Sequence, residues 1–402
     1  MIASGTGEDA RLTLRTPASV DIFTRILTHG PIGRVDVGRQ TGLSQAAVTK
    51  TVAPLLLDGI VAVDRPLAGA ALTGAAPGRP VHPLRVVPSA RLVLGVKVNP
   101  DEVIGVATGM TAAILHVARR PLGSTDPAAV VEAVAQVAEE LGGLLGDRVD
   151  RLIGLGVAVS GDVDAATGIV RDSPLLGWRG VPLAHPLAAR LGVPVRVDND
   201  VRALTIAEHW FGVGRDSGSF AVVTIGSGIG CGLYLNDDVV SGAHGVAGEL
   251  GHLPLASLDA VCVCGRRGCV EAVASSGAVL RAVRTVTDAP RLTLAEAAAL
   301  AREGVPGAVA AFDRAGTAIG AALAVVANLT GPDTVLVAGE GMAEFELYER
   351  AIRSTFAAHA FGAAADCVLV TRAHSFEDWA RGAAASVIRA AVRQEFQPTF
   401  SG

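Results

Sequence analysis

The stretch GELGHLPLASLDAVCVCGRRGCVEA, residues 248–272, fixes how the chain around it must fold. His252 stands ten positions before Cys262, Cys264 follows after one intervening residue, and Cys269 after four more. Three thiolates and one imidazole complete a tetrahedral donor set, which leaves no position open for water and marks a structural Zn2+ site. Gly265 and Gly268 allow the backbone to turn tightly around such an ion. The competing reading, three reduced core cysteines beside a hydrogen-bonded histidine, gives no packing reason for three thiols in so glycine-rich a turn. A Cys-x-Cys pair rarely bridges itself. With Cys231 and Cys367 the thiols number five, an odd count that makes a poor disulfide framework and suits a reducing compartment.

Outward from this knot the chain reads as a large folded protein. Half of its 402 residues are hydrophobic and 18% are charged, which excludes disorder of the whole. Apolar runs such as Leu92–Val98 and Leu152–Val159 fall short of the roughly 20 residues that span a bilayer. Charged residues precede any apolar stretch at the N-terminus, so no secretory leader is expected and the protein is read as cytoplasmic. After Pro88-Ser89, read as a linker, strand-length runs at 92–98, 103–108, 152–159, 193–197, 220–224 and 335–337 interleave with helical patterns at 128–145, 203–211, 308–329 and 379–396. That alternation argues an α/β architecture. Glycine clusters sit just after strands, where open α/β sheets bind ligands. No repeat with a period of 20–50 residues is visible.

Ahead of the linker the pattern changes. Residues 1–16 lack periodicity and read as a loose arm. Val20, Ile22, Phe23, Ile26 and Leu27 recur at helical spacing until His29-Gly30-Pro31 stops them. A short helix over about 34–41, a turn at Gly42, and a third helix capped by Ser44 follow. Pro54 predicts a bend or an early end in that third helix. An edge strand at 60–63, a Gly/Ala/Pro stretch at 69–80 and a strand at 81–87 complete a winged helix-turn-helix over residues 1–88. Within VGRQTGLSQAAVTKTV, residues 37–52, the outer face of the third helix offers Ser44, Gln45, Thr49 and Lys50 to base edges and phosphates. Arg34 and Arg39 are expected near the DNA backbone and Arg79 in a minor groove. Residues 1–89 carry nine basic and six acidic side chains, net +3, against −8 for the rest, the asymmetry expected of a basic reader on an acidic body. A small helical dimerisation module is the plainer alternative.

GELGH followed by CVCGRRGCVE resembles the signature of the ROK family of repressors, open reading frames and sugar kinases, and the similarity extends over nearly the whole chain. It implies a two-lobed actin-like, hexokinase-like (ribonuclease H-like) ATPase-fold body over 89–402, with lobes of roughly 89–200 plus the C-terminal helix and 201–380. The family's second signature appears as VDNDVRALTIAE, residues 197–208. By this resemblance Asn199, Asp200, Glu249, His252 and Glu271 are sugar-binding, and His252 touches both sugar and zinc. In the family's kinases the aspartate matching Asp200 is the general base.

The resemblance also predicts where catalysis is lost. TIGSGIGCG, residues 224–232, keeps the form of a phosphate loop, with Gly226, Gly228 and Gly230 allowing amides to approach oxyanions. The other loop departs from the kinase pattern of Asp, a variable residue, then Gly-Gly-Thr. Here Lys97 replaces the metal-proximal carboxylate, and Val98-Asn99-Pro100-Asp101 follow. Phosphoryl transfer depends on positioning and charge neutralisation, which these residues oppose. The expectation is therefore no enzyme but a sugar-responsive, homodimeric or homotetrameric repressor of carbohydrate metabolism, with Asp200 vestigial, a palindromic DNA operator as partner and no membrane contact. The alternatives are an active sugar kinase with an appended DNA-binding arm and a zinc-stabilised interaction scaffold.

Overall fold

The computed structural model describes residues 12–64 and 82–395. The described residues group into two compact units, one drawn from Met1–Ala158, Pro182–Val197 and Ala383–Gly402, the other from Val159–Val181 and Asp198–Gly382. Residues 159–181, assigned by sequence to the first lobe, lie with the second unit.

The first unit opens with α1 (Pro17–His29), whose start is set by a reciprocal cap: the Ser19 amide donates to Thr16 Oγ1 at 3.1 Å and the Thr16 amide to Ser19 Oγ at 3.0 Å. α2 (Arg34–Thr41) ends at Gly42 in left-handed conformation (φ 68°), which no β-carbon opposes. α3 (Gln45–Leu57) begins at Ser44, whose Oγ accepts the Ala47 amide at 3.2 Å. α3 does not end at Pro54 but runs on to Leu57, three residues further, with Pro54 itself exposed. β1 (Val61–Val63) and β2 (Leu84–Val86) pair antiparallel as the wing, and Ile32 bridges to Leu84 through bonds of 2.9 and 2.8 Å. β2 is shorter than the strand predicted at 81–87. The Gly/Ala/Pro stretch at 69–80, with Arg79, lies outside the described residues, as residue 81 does.

The described end of the arm expected to be loose, and the linker, both make defined contacts. Leu12 and Leu14 are buried, and the Gln394 side-chain amide donates to the Leu14 carbonyl. The linker is a 3-10 turn, Pro88–Ala90, in which Pro88 O accepts the Met110 amide at 2.9 Å and Ser89 O accepts Arg151 at 3.0 Å.

β3 (Leu92–Val98), β4 (Glu102–Gly109) and β5 (Ile114–Pro121) form an antiparallel meander under α4 (Pro127–Leu145). β6 (Leu152–Val159) runs parallel to β3. A separate three-stranded sheet follows, β7 (Asp162–Asp164), β8 (Ile169–Ser173) and β9 (Trp178–Pro182), then α5 (Ala184–Leu191) and β10 (Val195–Asn199), giving the order β10-β6-β3-β4-β5. The second unit takes α6 (Asp200–Phe211), β11 (Ser219–Ile225), β12 (Ile229–Leu235) and β13 (Asp238–Val239), then α7 (Glu271–Ala274), α8 (Ser276–Thr287), α9 (Leu294–Arg302) and α10 (Pro306–Thr330). β14 (Thr334–Ala338), α11 (Phe345–His359), β15 (Val368–Thr371) and α12 (Phe376–Val392) close the chain, and the sheet order is β13-β12-β11-β14-β15. Both five-stranded sheets place their first strand centrally, an antiparallel meander on one side and the later strands on the other. This duplication of topology leaves no periodic trace in the sequence.

α10 corrects the expectation of no membrane-length apolar segment: its 25 residues are long and apolar enough by length and composition. It is a core helix. Ala315, Ile319, Leu323 and Val326 are buried with Phe312 among residues of β11, β14 and α11. A β-carbon at Gly316 or Gly320 would lie 2.7 or 2.5 Å from α11 carbonyls, so the two helices meet backbone to backbone.

Candidate functional site

His252 ends a 3-10 turn, Leu250–His252, and the cysteines occupy the loop beyond it. Cys262 N–H donates to Arg266 O at 2.8 Å and Gly265 N–H to Cys262 O at 2.9 Å, closing a small ring that Gly265 (φ 83°) and Gly268 (φ 77°) permit. The ligand atoms of His252, Cys262, Cys264 and Cys269 all lie within 4.8 Å of one another. Cys264 Sγ and Cys269 Sγ are 3.8 Å apart and Cys262 Sγ is 3.7 Å from His252 Nδ1. A tetrahedron with metal–sulfur bonds of about 2.3 Å has edges of about 3.8 Å. The donor set fits a divalent metal. Desolvation pushes the Cys262 thiol up to about 12 and raises Cys269. At Cys264 desolvation is outweighed by the Arg266 amide and the neighbouring thiols, and that group is lowered. A bound cation is what would ionise all three together. Cys231, by contrast, is a core thiol held at about 12 by burial.

The five residues assigned to sugar all belong to the second unit. Asn199 caps α6: its Oδ1 accepts the Arg202 amide at 3.1 Å and its Nδ2 donates to Gly161 O at 2.9 Å, which fixes the side chain's orientation. Asp200 is buried at the first turn of α6, with its Oδ1 accepting the Val201 amide at 2.9 Å. Glu271 starts α7 and accepts the Ile229 amide at 3.1 Å. Glu249 faces the other ring nitrogen of His252, Nε2, at 3.9 Å. His252 thus turns Nδ1 toward the thiols and Nε2 toward Glu249, an arrangement in which metal and polar ligand are held by one ring. Desolvation raises the Glu249 carboxyl; Asp162, Glu271 and Asp200 add to the rise against the pull of His252.

Of the two phosphate-loop segments, the first ends in a tight turn where Lys97 and Asn99 are buried and the Asn99 amide donates to Glu102 O at 2.9 Å. In the second, Gly226–Gly228 connects β11 to β12. Ser227 N–H donates to Glu340 Oε1 at 2.7 Å.

On α3, Thr49 and Lys50 are exposed opposite the buried Val48, Val52 and Leu55. Ser44 and Gln45 are exposed too, but both are engaged within the helix pair. Ser44 caps α3, and Gln45 Nε2 donates to Arg34 O at 3.4 Å, tying α3 to α2. Arg39 is paired with Asp36 at 2.8 Å, and Arg34 is half-buried.

Sequence reasoning missed the two arginines that hold the loop bearing Glu249. Arg202, buried on α6, donates to Asp198 at 2.8 Å, to Gly245 O at 2.5 Å and to Val163 O at 2.9 Å. Arg171 donates to His244 O at 2.6 Å and to Asp164 at 2.9 Å. A charged residue inside VRALTIAE, on the face that otherwise packs, was the available signal. Glu340 was missed as well; its signal was a glutamate flanked by glycines directly after a strand.

Comparison with known proteins joins these parts. The xylose repressor of Bacillus subtilis (strain 168) is 27% identical over 318 residues, 79% of this chain and 80% of its own. The crystal structure of a ROK family transcriptional regulator, a homologue of the E. coli MLC protein, superposes with a TM-score of 0.77 at 24% identity over 96% of this chain and 97% of that one. A ROK family glucokinase from Streptomyces griseus, in complex with glucose and AMPPNP, gives 0.62 at 26% identity, covering 98% of its own chain but 73% of this one. The body has the hexokinase-like, actin-type α/β fold that the duplicated sheets embody. The ROK family profile matches residues 93–390, which contain the knot, the α6 cap and both five-stranded sheets, and the chain belongs to the ROK family.

Proposed function

We propose that the chain is a sugar-responsive transcriptional regulator, acting as a repressor, with Zn2+ as a structural ion and no kinase activity. The single observation that carries the reading is the coexistence, in one chain, of a helix-turn-helix with a polar outer face and the polar constellation around a His/Cys3 knot. The comparisons support it: the regulator structure spans nearly all of this chain, whereas the glucokinase leaves about a quarter of it without a counterpart. Two carboxylates, an amide and an imidazole suit a ring of vicinal hydroxyls. When bound, Zn2+ would hold His252, Cys262, Cys264 and Cys269 and supply rigidity; His252 and Glu249 then present fixed polar atoms to the sugar. Lys97 and Asp101 in place of the kinase pattern oppose phosphoryl transfer, as the sequence leads one to expect.

In this reading Lys50 and Thr49, exposed on α3, contact the operator, with Arg34, Arg39, Ser44 and Gln45 supporting them and Arg79 carried over from sequence alone. A two-fold dimer would match a palindromic site. Lys50→Ala is expected to weaken operator binding and reduce the slope of log affinity against log salt by about one unit; titrations at several salt concentrations check it. Sugar need bind the two DNA-affinity states only unequally: a coupling of about 1–3 kcal/mol changes operator affinity ~5- to 150-fold.

Glu249→Ala is expected to abolish the effector response while operator affinity without sugar stays as in the parent. Fluorescence anisotropy on operator DNA with a panel of monosaccharides measures both. An unchanged dose response would remove Glu249 from the site, and hexose-dependent ADP release by the parent protein would replace the whole reading with the kinase alternative.

A further inference from the structure

The glycine turn between β11 and β12 has the form of an anion cradle, since successive backbone amides free of side chains can converge on an oxyanion. In this chain the cradle is engaged from within. Ser227 N–H donates to Glu340 Oε1 at 2.7 Å, Ile229 N–H to Glu271 Oε2 at 3.1 Å, and Gly226 N–H to Gly228 O at 3.1 Å.

How Glu340 reaches the turn follows from the sheet. β14 runs parallel to β11 with Ala338 opposite Thr224, so the residues after β14 emerge beside the residues after β11. Gly339 (φ 103°) and Gly341 flank the glutamate, and a β-carbon on either would lie 2.5 or 2.9 Å from Ile225 O. With glycine on both sides the segment can lie close against Ile225 and bring the Glu340 carboxylate to Ser227. The fit is mutual: a β-carbon at Gly226 would lie 2.1 Å from the Glu340 carboxyl carbon.

We propose that Glu340 is the specificity-determining residue of this turn: its carboxylate takes the place of a nucleotide phosphate on the Ser227 amide and excludes nucleoside polyphosphates from the turn. The inference deepens the non-kinase reading and rests on it. A phosphate entering the turn must displace a charge-assisted hydrogen bond and then lie against like charge from Glu340. Cutting a tie that only braced the loop would alter stability and leave nucleotide affinity where it was. Cutting one that occupies the cradle opens a binding site.

The test is calorimetric titration of the full-length protein with ADP, comparing the parent, Glu340→Ala and Glu340→Gln, with thermal melts to establish that each variant is folded. Glu340→Ala is expected to bind ADP at least about tenfold more tightly than the parent, a difference of ~1.4 kcal/mol. Glu340→Gln is expected to fall between the two, because its amide oxygen can still accept from Ser227 while the like charge is gone. ADP binding by the parent as tight as by Glu340→Ala, no gain in the alanine variant, or a glutamine variant as open as the alanine one would each overturn the proposal. Since ADP titration reads binding and not turnover, such failures leave the non-kinase reading intact, whereas hexose-dependent ATP turnover by the parent would defeat that reading whatever Glu340 does.

Discussion

Removing the metal with a chelator, or exchanging Cys269 for Ser, is expected to lower the melting temperature of the protein steeply and to erase its sugar response in the same titration. Four donors whose ligand atoms lie within 4.8 Å of one another converge from two places, the 3-10 turn at His252 and the loop at 262–269. Without an ion, desolvation opposes ionisation of the Cys262 and Cys269 thiols. An ion present at about a thousand times its dissociation constant contributes ~4 kcal/mol to folding. At about 2–4 °C per kcal/mol for a unit of ~150–250 residues, the expected fall is ~8–16 °C. The sugar response is expected to go with it because Glu249 faces the ring that a bound ion would hold. Differential scanning calorimetry with and without chelator, followed by metal add-back, measures the first effect; operator anisotropy with sugar measures the second. A chelated protein with unchanged melting and full sugar sensitivity would mean that the cluster holds no metal that matters.

Glu208→Ala should be the most damaging single substitution away from the knot. Glu208, fully buried on α6, receives His374 Nε2 at 3.1 Å and Arg372 at 3.4 Å, with Arg381 at 3.6 Å. These partners fasten the segment between β15 and α12 to α6. Removing the carboxylate strands buried donors and basic groups, a change that costs about 3–5 kcal/mol. Desolvation raises this carboxyl, but the His374 hydrogen bond and the charges of His374, Arg372 and Arg381 outweigh it and hold the group below its ordinary value. The sign follows: a depressed folded value contributes stability above the unfolded glutamate range, about 4.3, and loses it as pH falls through the folded value. Urea titrations across acidic pH are expected to show the parent losing stability toward low pH and Glu208→Gln losing less. Equal slopes for the two would assign the acid sensitivity elsewhere.

Particular elements show how far local sequence reaches. α1 to α3 are legible to the residue or nearly so, because the stop at His29-Gly30-Pro31, the turn at Gly42 and the Ser44 cap are local chemistry. β3 and β6 are legible as predominantly apolar runs, broken only by Lys97 in β3, since both faces of each are buried. β5, with Arg119 and Arg120 and an exposed start, has no such run and went unread. α8, α9 and α11 also escaped, their apolar positions being diluted by charged faces. Pro54 marks the end of α3 only to within a turn, since the helix runs three residues past it to Leu57.

The sequence by itself determined the donor set of the knot, the reader helix and the residues of the two signatures, since each is a matter of residue type at short spacing. Only the tertiary structure decided that His252 divides its two ring nitrogens between the thiols and Glu249, that Arg202 and Arg171 hold the Glu249 loop, and that Glu340 sits on the glycine turn. The last of these joins residues 113 positions apart through the parallel pairing of β11 with β14. No local rule fixes register between distant strands; it is set by which faces are buried together.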